Sequence, residues 1–137
     1  MIKRIAHVGI ATRSIAVTAE FYKSLGLDVD AMEIVEDQKV KVAVMEVGDS
    51  AIELIEPIED DSPVQRSIEA RGEGIHHIAF EVEDLESQLE TLKEQNIKLI
   101  DEKPRPGAQG RRIAFVHPDS TGGVLVELSE SLPGDAS

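Results

Sequence analysis

Apolar and polar residues alternate at the start of the chain, and this period of two predicts a β-strand over residues 3–11. Apolar positions then recur at helical spacing behind Ser14, a good N-cap, so a helix is predicted over residues 15–25. Short apolar runs separated by turn residues predict three further strands, near residues 27–35, 39–47 and 51–56. The first half of the chain is therefore predicted to fold in the order βαβββ.

The second half of the chain repeats this order. Asp84 stands before a stripe of leucines as Ser14 stands before the first helix. Between the halves, Ser62 and Pro63 start a short helix that Gly72 ends. The elements predicted for the second half are a strand over 75–82, a helix over 85–95, and strands near 97–102, 112–117 and 123–129. The predicted fold class is α+β, with two tandem βαβββ modules.

The two halves also match residue by residue. The segment Ile5–Ile10 recurs as Ile75–Phe80 at an offset of 70, and Ala51–Leu54 recurs as Leu125–Leu128 at an offset of 74. Each half therefore has one histidine near its start and one glutamate near its end. These residues are His7 and Glu53 in the first half, and His77 and Glu127 in the second.

This repeated pair favours a metal site. A single histidine on an apolar strand is more often a packed core residue, but a buried carboxylate needs a partner for its charge. Pseudo-twofold symmetry would bring both pairs face to face as a His/Glu/His/Glu set. Such ligands suit Co²⁺, Mn²⁺, Ni²⁺, Fe²⁺ or Zn²⁺ without selecting among them. His76 should point away from His77, and both His76 and His117 are interpreted as lying outside the ligand set.

Composition narrows the function classes. The chain of 137 residues contains no cysteine, which excludes disulfides, thiolate ligands and a cysteine nucleophile. The formal net charge of −13 argues against nucleic acid or a membrane as a partner. No apolar run approaches membrane-spanning length and no signal sequence is recognisable, so a cytoplasmic protein is expected.

The length suits one domain with a sizeable core. We expect this domain to cover residues 1–130, with a first module over about 1–60, the linking helix over about 62–72, and a second module over about 73–130. The remaining residues 131–137 are small and polar and are expected to form a flexible tail.

One basic stretch interrupts the acidic chain. Lys103, Arg105, Arg111 and Arg112 are four of its 14 lysines and arginines. Such a stretch is either a solvated loop or a patch that meets an anionic substrate, and the residues alone leave both interpretations open.

With these features, the chain resembles the vicinal oxygen chelate superfamily and, within it, the methylmalonyl-CoA epimerase family. The resemblance runs from His7 to Glu127 and Leu128. Its segments are residues 53–57, 74–82, 104–111 and 117–128. The first two segments are moderately specific within the superfamily, and the last two are much more specific to the epimerases.

The resemblance implies an eight-stranded cup around one divalent metal ion (Co²⁺, Mn²⁺, Ni²⁺ or Zn²⁺), usually in a homodimer. It implies metal ligands at His7, Glu53, His77 and Glu127, although the family also has glutamine at the position of Glu53. The implied substrate is methylmalonyl-CoA, whose 2R and 2S epimers interconvert through a metal-stabilised enolate. Glu127 is implied as an acid/base as well as a ligand.

The chain departs from the family at the second acid/base. In some members a glutamate near position 42 is proposed for this role, and here that position is Val42. Glu46 has the same strand parity and is the fallback candidate, although a solvated residue before the turn at Gly48 fits it better. Glu53 or a metal-bound water are the alternatives.

The resemblance also gives a role to the basic stretch, and Lys103, Arg111 and Arg112 are predicted to contact the phosphates of coenzyme A. Ser120, Thr121 and Gly122 come before the Glu127 strand, and their backbone N–H groups are candidates to bind a substrate carboxylate. A plain hairpin turn is the alternative for these three residues.

Two other functions share this scaffold. A glyoxalase I-like isomerase (lactoylglutathione lyase) would use the same four ligands, and a non-catalytic ligand-binding member would use the fold alone. An extradiol dioxygenase would use two histidines and one glutamate on iron, and this chain is short for that group. The segments between Pro104 and Glu127 favour the epimerase.

Overall fold

The structure is a computed structural model that describes residues 2–135. Two compact units are distinguished within it. His7–His76 form the first-repeat unit, and Met1–Ala6 together with His77–Ser137 form the second-repeat unit. Strand β1 (Ile2–Ala11) runs through the boundary and belongs to both units.

The elements of the first-repeat unit after β1 are α1 (Ile15–Ser24), β2 (Ala31–Val35), β3 (Val40–Val47), β4 (Ser50–Pro57) and α2 (Pro63–Arg71). The strands are hydrogen-bonded in the order β2-β3-β4-β1. β4 pairs in parallel with β1, whereas β2 and β4 are both antiparallel to β3.

The elements of the second-repeat unit are β5 (Gly74–Val82), α3 (Leu85–Glu94), β6 (Arg105–Pro106), β7 (Arg112–Val116) and β8 (Val126–Glu130). The strands repeat the arrangement of the first unit in the order β1-β5-β8-β7-β6, with β5 parallel to β8. The predicted α+β class with two βαβββ modules is therefore confirmed. No helix within residues 2–135 is long and apolar enough to span a membrane.

Each unit has its own hydrophobic core, formed where a helix covers one face of the strands. In the first-repeat unit, Ile15 and Ala19 of α1 pack with Ala43, Met45 and Leu54. In the second-repeat unit, the leucines of α3 pack with strand residues that include Ala114, Val116 and Leu128. Because side chains alternate across a strand, the neighbours of these core residues point to the opposite face of each sheet.

The predicted helix ends are confirmed. The side chain of Ser14 accepts a hydrogen bond from the N–H of Val17, and the side chain of Asp84 accepts one from Ser87. Gly26 and Asn96 follow the two helices with φ of +92° and +60°, the left-handed geometry for which these residue types are suited.

The strand predicted near residues 97–102 is wrong. There Leu99 makes a single bridge to Val116, and β6 forms only at Arg105–Pro106. The N–H groups of Ile100 and Asp101 both donate to the carbonyl of Phe115, while the Asp101 carboxylate accepts the N–H of Phe115 at 2.9 Å. A side chain thus replaces the regular strand ladder in this segment. β2 is also shorter than predicted, since it starts at Ala31.

A second repeated glutamate, which the sequence analysis overlooks, fixes the start of each helix. Glu56 accepts the N–H of Ile15 at 2.8 Å, and Glu130 accepts the N–H of Leu85 at 3.0 Å. These glutamates stand three residues after Glu53 and Glu127, so the motif Glu-Leu-x-Glu occurs in both halves. A carboxylate at this position satisfies an unpaired helix N–H and interacts favourably with the helix dipole.

The predicted tail is held against the second-repeat unit as far as Asp135. Ser131 donates its N–H to the carbonyl of Val82, and the Asp135 carboxylate accepts the N–H of Leu132. Residues 136 and 137 of the predicted flexible tail lie outside the described residues.

Glu130→Gln should lower the free energy of unfolding by about 1 kcal/mol at neutral pH, because the α3 cap and the Arg112 ion pair both weaken. Hydrogen bonds from Arg112, and then from the N–H of Leu85, hold the pKa of Glu130 below its ordinary value. A lowered pKa stabilises the fold above the unfolded-state pKa, and this stabilisation is lost as pH falls. The difference from wild type should therefore shrink near pH 4 in urea unfolding.

Glu86→Gln is the matched control for this prediction, because Glu86 pairs with the same Arg112 from an exposed position. Exposed ion pairs contribute little to stability, so this variant should unfold like the wild type. An equal loss of stability in both variants would show that the Arg112 charge, rather than the α3 cap, accounts for the effect.

Candidate functional site

The first-repeat unit contains one buried histidine–glutamate pair. His7 Nδ1 lies 3.2 Å from Glu53 Oε2, and the two residues are 7% and 6% exposed. The parallel register aligns Gly9 of β1 with Glu53 of β4, which leaves the His7 ring beside the carboxylate. Both side chains lie on the strand face opposite α1, which we call the site face of this unit.

The second-repeat unit contains the equivalent pair. His77 Nε2 lies 3.2 Å from Glu127 Oε1, and the two residues are 3% and 5% exposed. The parallel register here aligns Ala79 of β5 with Glu127 of β8. Phe115 is the cross-strand neighbour of Glu127 and packs edge-on against the His77 ring, with 5.8 Å between ring centroids. The Phe115 ring therefore restricts rotation of the His77 imidazole.

These donors fit a divalent metal ion. A buried carboxylate is costly unless a cation or hydrogen-bond donors balance its charge, and here two units each bury one. Imidazole nitrogen and carboxylate oxygen are the ligands that Zn²⁺ and the neighbouring transition metals accept. Each unit by itself offers one imidazole and one carboxylate, so each histidine–glutamate pair supplies half of the predicted ligand set.

The two other histidines have different surroundings. His76 is half-buried, one residue before His77 on β5, and a strand turns consecutive side chains to opposite faces. His117 accepts the N–H of Asp119 at its Nδ1, 3.0 Å away, and so caps the short turn after β7.

Glu46, the fallback acid/base, is exposed at the end of β3. Its cross-strand partner is Ala51, and its N–H donates to the Asp30 carboxylate at 2.8 Å. Val42 is buried on the same face of β3, opposite Ile55 of β4.

The arginines of the predicted phosphate patch already contact carboxylates. Arg111 pairs with Asp135 through two hydrogen bonds of 2.7 and 2.9 Å, which lowers the pKa of Asp135 to about 2. Arg112 pairs with Glu130 and Glu86, whose hydrogen bonds raise the pKa of its guanidinium. Lys103 is exposed. A phosphate that binds Arg111 or Arg112 would therefore have to share the arginine with these carboxylates or displace them.

The segment before β8 is built as a turn. Ser120 accepts the N–H of Lys98 at 2.8 Å, and the Thr121 hydroxyl contacts the carbonyls of Pro118 and Val124. Gly122 has a φ of +77°, which the turn requires. The N–H groups of Ser120, Thr121 and Gly123 already donate to the carbonyls of His117 and Pro118 within the turn. The Gly122 N–H and the Ser120 O–H are therefore the candidate donors to a substrate carboxylate.

A buried glutamate that the sequence analysis did not identify lies further along β5. Glu81 is 2% exposed and accepts hydrogen bonds from Arg4 Nε, Arg4 Nη2 and the Ser131 hydroxyl, at 3.1, 3.0 and 2.9 Å. The equivalent position of the first half is Ala11, so the repeat gave no signal for this residue. With its charge balanced by Arg4, Glu81 has a structural role.

Comparison with known proteins places the chain in a family. Residues 6–115 match the Glyoxalase/Bleomycin resistance protein/Dioxygenase superfamily. The chain belongs to this superfamily. The uncharacterized protein YqjC of Bacillus subtilis is 49% identical over 128 residues, which are 93% of this chain and 91% of that protein. The mitochondrial methylmalonyl-CoA epimerase of Dictyostelium discoideum is 37% identical over 132 residues, 94% of this chain and 79% of that enzyme.

Solved structures agree with these relatives. A methylmalonyl-CoA epimerase in complex with methylmalonyl-CoA and NH4+ matches with a TM-score of 0.93 and 34% identity, over 100% of both chains. The methylmalonyl-CoA epimerase of Mycobacterium tuberculosis matches with a TM-score of 0.92 and 35% identity, over 96% of this chain and 90% of that one. The resemblance to the epimerases that the sequence predicts is confirmed.

Proposed function

We propose that this chain is a metal-dependent methylmalonyl-CoA epimerase, which interconverts the 2R and 2S epimers by removing and returning a proton at C2. The relatives of known activity support this proposal, since epimerases cover 93–94% of the chain at 32–37% identity. The observation that carries it is the pair of buried histidine–glutamate contacts, each 3.2 Å long and each at the same place in its repeat.

His7, Glu53, His77 and Glu127 would together hold one divalent ion, Co²⁺, Mn²⁺, Ni²⁺ or Zn²⁺. When bound, such an ion supplies a Lewis acid that stabilises the charge of a thioester enolate. The buried surroundings of all four residues suit this task, because an electrostatic interaction is stronger where water is excluded.

Glu127 is the proposed acid/base on one face of C2. Its carboxylate would take the C2 proton, the electron pair would pass to the thioester carbonyl, and the proton would later be returned. His77 and Phe115 hold Glu127 and its surroundings in place. Inversion also requires a second group on the opposite face of C2, and the sequence leaves its identity open.

We further propose that Lys103, Arg111 and Arg112 contact the phosphates of coenzyme A. We also propose that the turn of Ser120, Thr121 and Gly122 binds the substrate carboxylate through the Gly122 N–H and the Ser120 hydroxyl. The cationic side chains support the first assignment in a chain of net charge −13. The hydrogen bonds within the turn support the second, because they engage the neighbouring N–H groups of Ser120, Thr121 and Gly123 and not that of Gly122.

An Arg111→Ala/Arg112→Ala double variant should bind free coenzyme A about tenfold more weakly, with a smaller salt dependence, because charged hydrogen bonds to phosphate are lost. Calorimetry at two salt concentrations measures both effects. Asp135→Asn is the companion variant: it releases Arg111 from its carboxylate and should tighten binding. Unchanged affinity and salt dependence in the double variant would contradict the phosphate assignment.

We also propose that the chain forms a homodimer in the cytoplasm. Val17, Phe21 and Leu25 are exposed at every fourth position of α1 and its C-cap, which gives this helix a second apolar stripe. An exposed apolar stripe supports an association in solution, which sedimentation measurements would test.

The test of the proposed function is deuterium uptake at C2 of methylmalonyl-CoA in D₂O, with metal-loaded and chelator-stripped protein measured side by side. Fast, metal-dependent uptake with loss of stereochemical purity is the expected result. No uptake by protein that retains a divalent ion would refute the epimerase. The glutathione hemithioacetal of methylglyoxal would then be the next substrate to test, as the glyoxalase I alternative requires.

A further inference from the structure

Phe115 of β7 lies directly beside Glu127, the proposed acid/base. The two residues are paired across β7 and β8, so their side chains leave the same face of the strands, opposite α3, with about 5 Å between their Cβ atoms. A base that takes a proton from carbon lies about 3 Å away from it. A substituent one bond away from that carbon is therefore within reach of the Phe115 ring.

The other apolar neighbours of Glu127 on this face offer less surface to a substrate. Ala79, its partner on β5, is completely buried. Ile113 is 2% exposed and packs against Gly107, where even a Cβ would collide with it. Phe115 is 8% exposed. Among the apolar residues that the described strands place around Glu127 on this face, Phe115 therefore offers the largest accessible surface.

The Phe115 ring is also held in one orientation. It packs edge-to-face with the His77 imidazole, with 88° between the ring planes. This is a favoured geometry for two aromatic rings, and close-packed side chains resist displacement. The ring is therefore a wall of fixed position rather than an adaptable surface.

The first repeat has a valine at the equivalent position. Val44 is the cross-strand partner of Glu53, as Phe115 is the partner of Glu127. The proposed function gives proton transfer to Glu127 and a ligand role to Glu53. The aromatic side chain thus stands beside the glutamate that would meet C2 of the substrate.

The chemistry of the substrate indicates which group this ring would contact. Three of the four substituents of C2 have polar partners in the proposed function. The proton goes to Glu127, the carboxylate to the turn of Ser120 and Gly122, and the thioester carbonyl to the proposed metal ion. The alkyl group remains, and it can pack against an apolar ring without leaving a polar atom unpaired.

We propose that Phe115 limits the size of the alkyl group at C2, so that the site accepts a methyl group and discriminates against longer chains; this inference rests on the proposed function. A longer chain would have to displace the ring or move C2 away from Glu127. Either change slows proton transfer, because the base and the carbon must be aligned. Phe115 is thus a specificity-determining residue for malonyl thioesters that carry an alkyl branch.

The experiment compares methylmalonyl-CoA with ethylmalonyl-CoA, which has one more methylene group. Epimer conversion gives kcat/KM for both substrates in the wild type and in Phe115→Leu, with rates referred to the bound divalent metal. The wild type should prefer the methyl substrate. The ethyl-to-methyl ratio of kcat/KM should rise at least about tenfold in the variant, since one methylene group in an apolar pocket is worth about 10–200-fold.

Phe115→Met is the second variant, and it carries the test if Phe115→Leu does not fold. Methionine keeps an apolar side chain but replaces the fixed ring with a flexible one that adapts to irregular space. The ethyl-to-methyl ratio should therefore rise in this variant as well.

Two variants serve as controls. Phe80→Leu is the same substitution on a strand of the same unit, but Phe80 packs on the side of α3. Val44→Ala removes volume beside Glu53, at the pseudo-symmetric position. Both variants should keep the ethyl-to-methyl ratio of the wild type.

The ratio separates a substrate contact from mere support of His77. If the ring only positioned His77, its loss would slow both substrates equally and leave the ratio unchanged, which would overturn the inference alone. A wild type that converts both substrates equally well would do the same, as would a raised ratio in Phe80→Leu or Val44→Ala instead of Phe115→Leu. No conversion of methylmalonyl-CoA by the metal-loaded wild type would overturn the proposed function and this inference with it.

Discussion

Glu127→Gln should abolish proton exchange at C2 of methylmalonyl-CoA from the epimer that Glu127 serves, and epimer conversion should fall by about 10²–10⁴-fold. Glutamine has the shape of glutamate and can still accept a hydrogen bond from His77, but it cannot take a proton from carbon. The fold should survive, because the neighbouring Phe115 and Ala79 keep the same volume to pack against. Deuterium uptake followed by NMR measures the loss.

The pseudo-symmetric variant Glu53→Gln is the comparison that the repeat provides. Glu53 has the same contact with a histidine, at the same distance of 3.2 Å, but no proposed proton transfer. This variant should retain far more exchange than Glu127→Gln, since the resemblance implies that the position tolerates glutamine. Near-normal exchange by Glu127→Gln with metal still bound would remove Glu127 from the chemistry.

The sequence predicts the elements and the histidine–glutamate pairs because the repeat shows both. His7 and His77 lie at the same position of a long, alternating strand, and Glu53 and Glu127 lie in short apolar segments next to turn residues, a pattern that favours strands. Two halves with the same order of elements and a similar spacing between histidine and glutamate, 46 and 50 residues, make the pattern visible without any knowledge of the strand pairing. The α-helices were predictable for a similar reason, since Ser14 and Asp84 mark their starts.

What the sequence could not give is the register between strands that are separated by irregular turns. Glu33 faces Val42 because the chain reverses through a short 3₁₀ turn that ends at Lys39, a non-glycine residue with a φ of +55°. The local sequence pattern does not determine at which residue the chain reverses. A shift of the β2–β3 pairing register by one residue would put Glu33 on the other face of the sheet. The same holds for Leu99, where the Asp101 side chain replaces a backbone ladder.

Replacement of His77 should lower the affinity for the divalent ion by at least about 100-fold, since even partners outside the ligand shell contribute 10–100-fold. His77→Gln is preferable to His77→Ala, because it keeps a polar group beside the buried Glu127 carboxylate and limits the cost of an unpaired charge. Metal content after gel filtration gives the first measurement. Stabilisation by added Co²⁺ gives the second: an ion at 100 times its Kd should stabilise the wild type by about 2.7 kcal/mol and this variant far less.

His117→Gln is the matched control, because His117 contacts the N–H of Asp119 in a turn and lies outside the proposed ligand set. It should retain the metal and the stabilisation by Co²⁺. If His77→Gln also kept the metal and the stabilisation by Co²⁺, the contact between His77 and Glu127 would be a structural hydrogen bond. The metal would then have to be held without His77. If His7→Gln and His77→Gln each lost the metal, one ion would depend on both repeats, as a ligand set divided between two copies of the same βαβββ module requires.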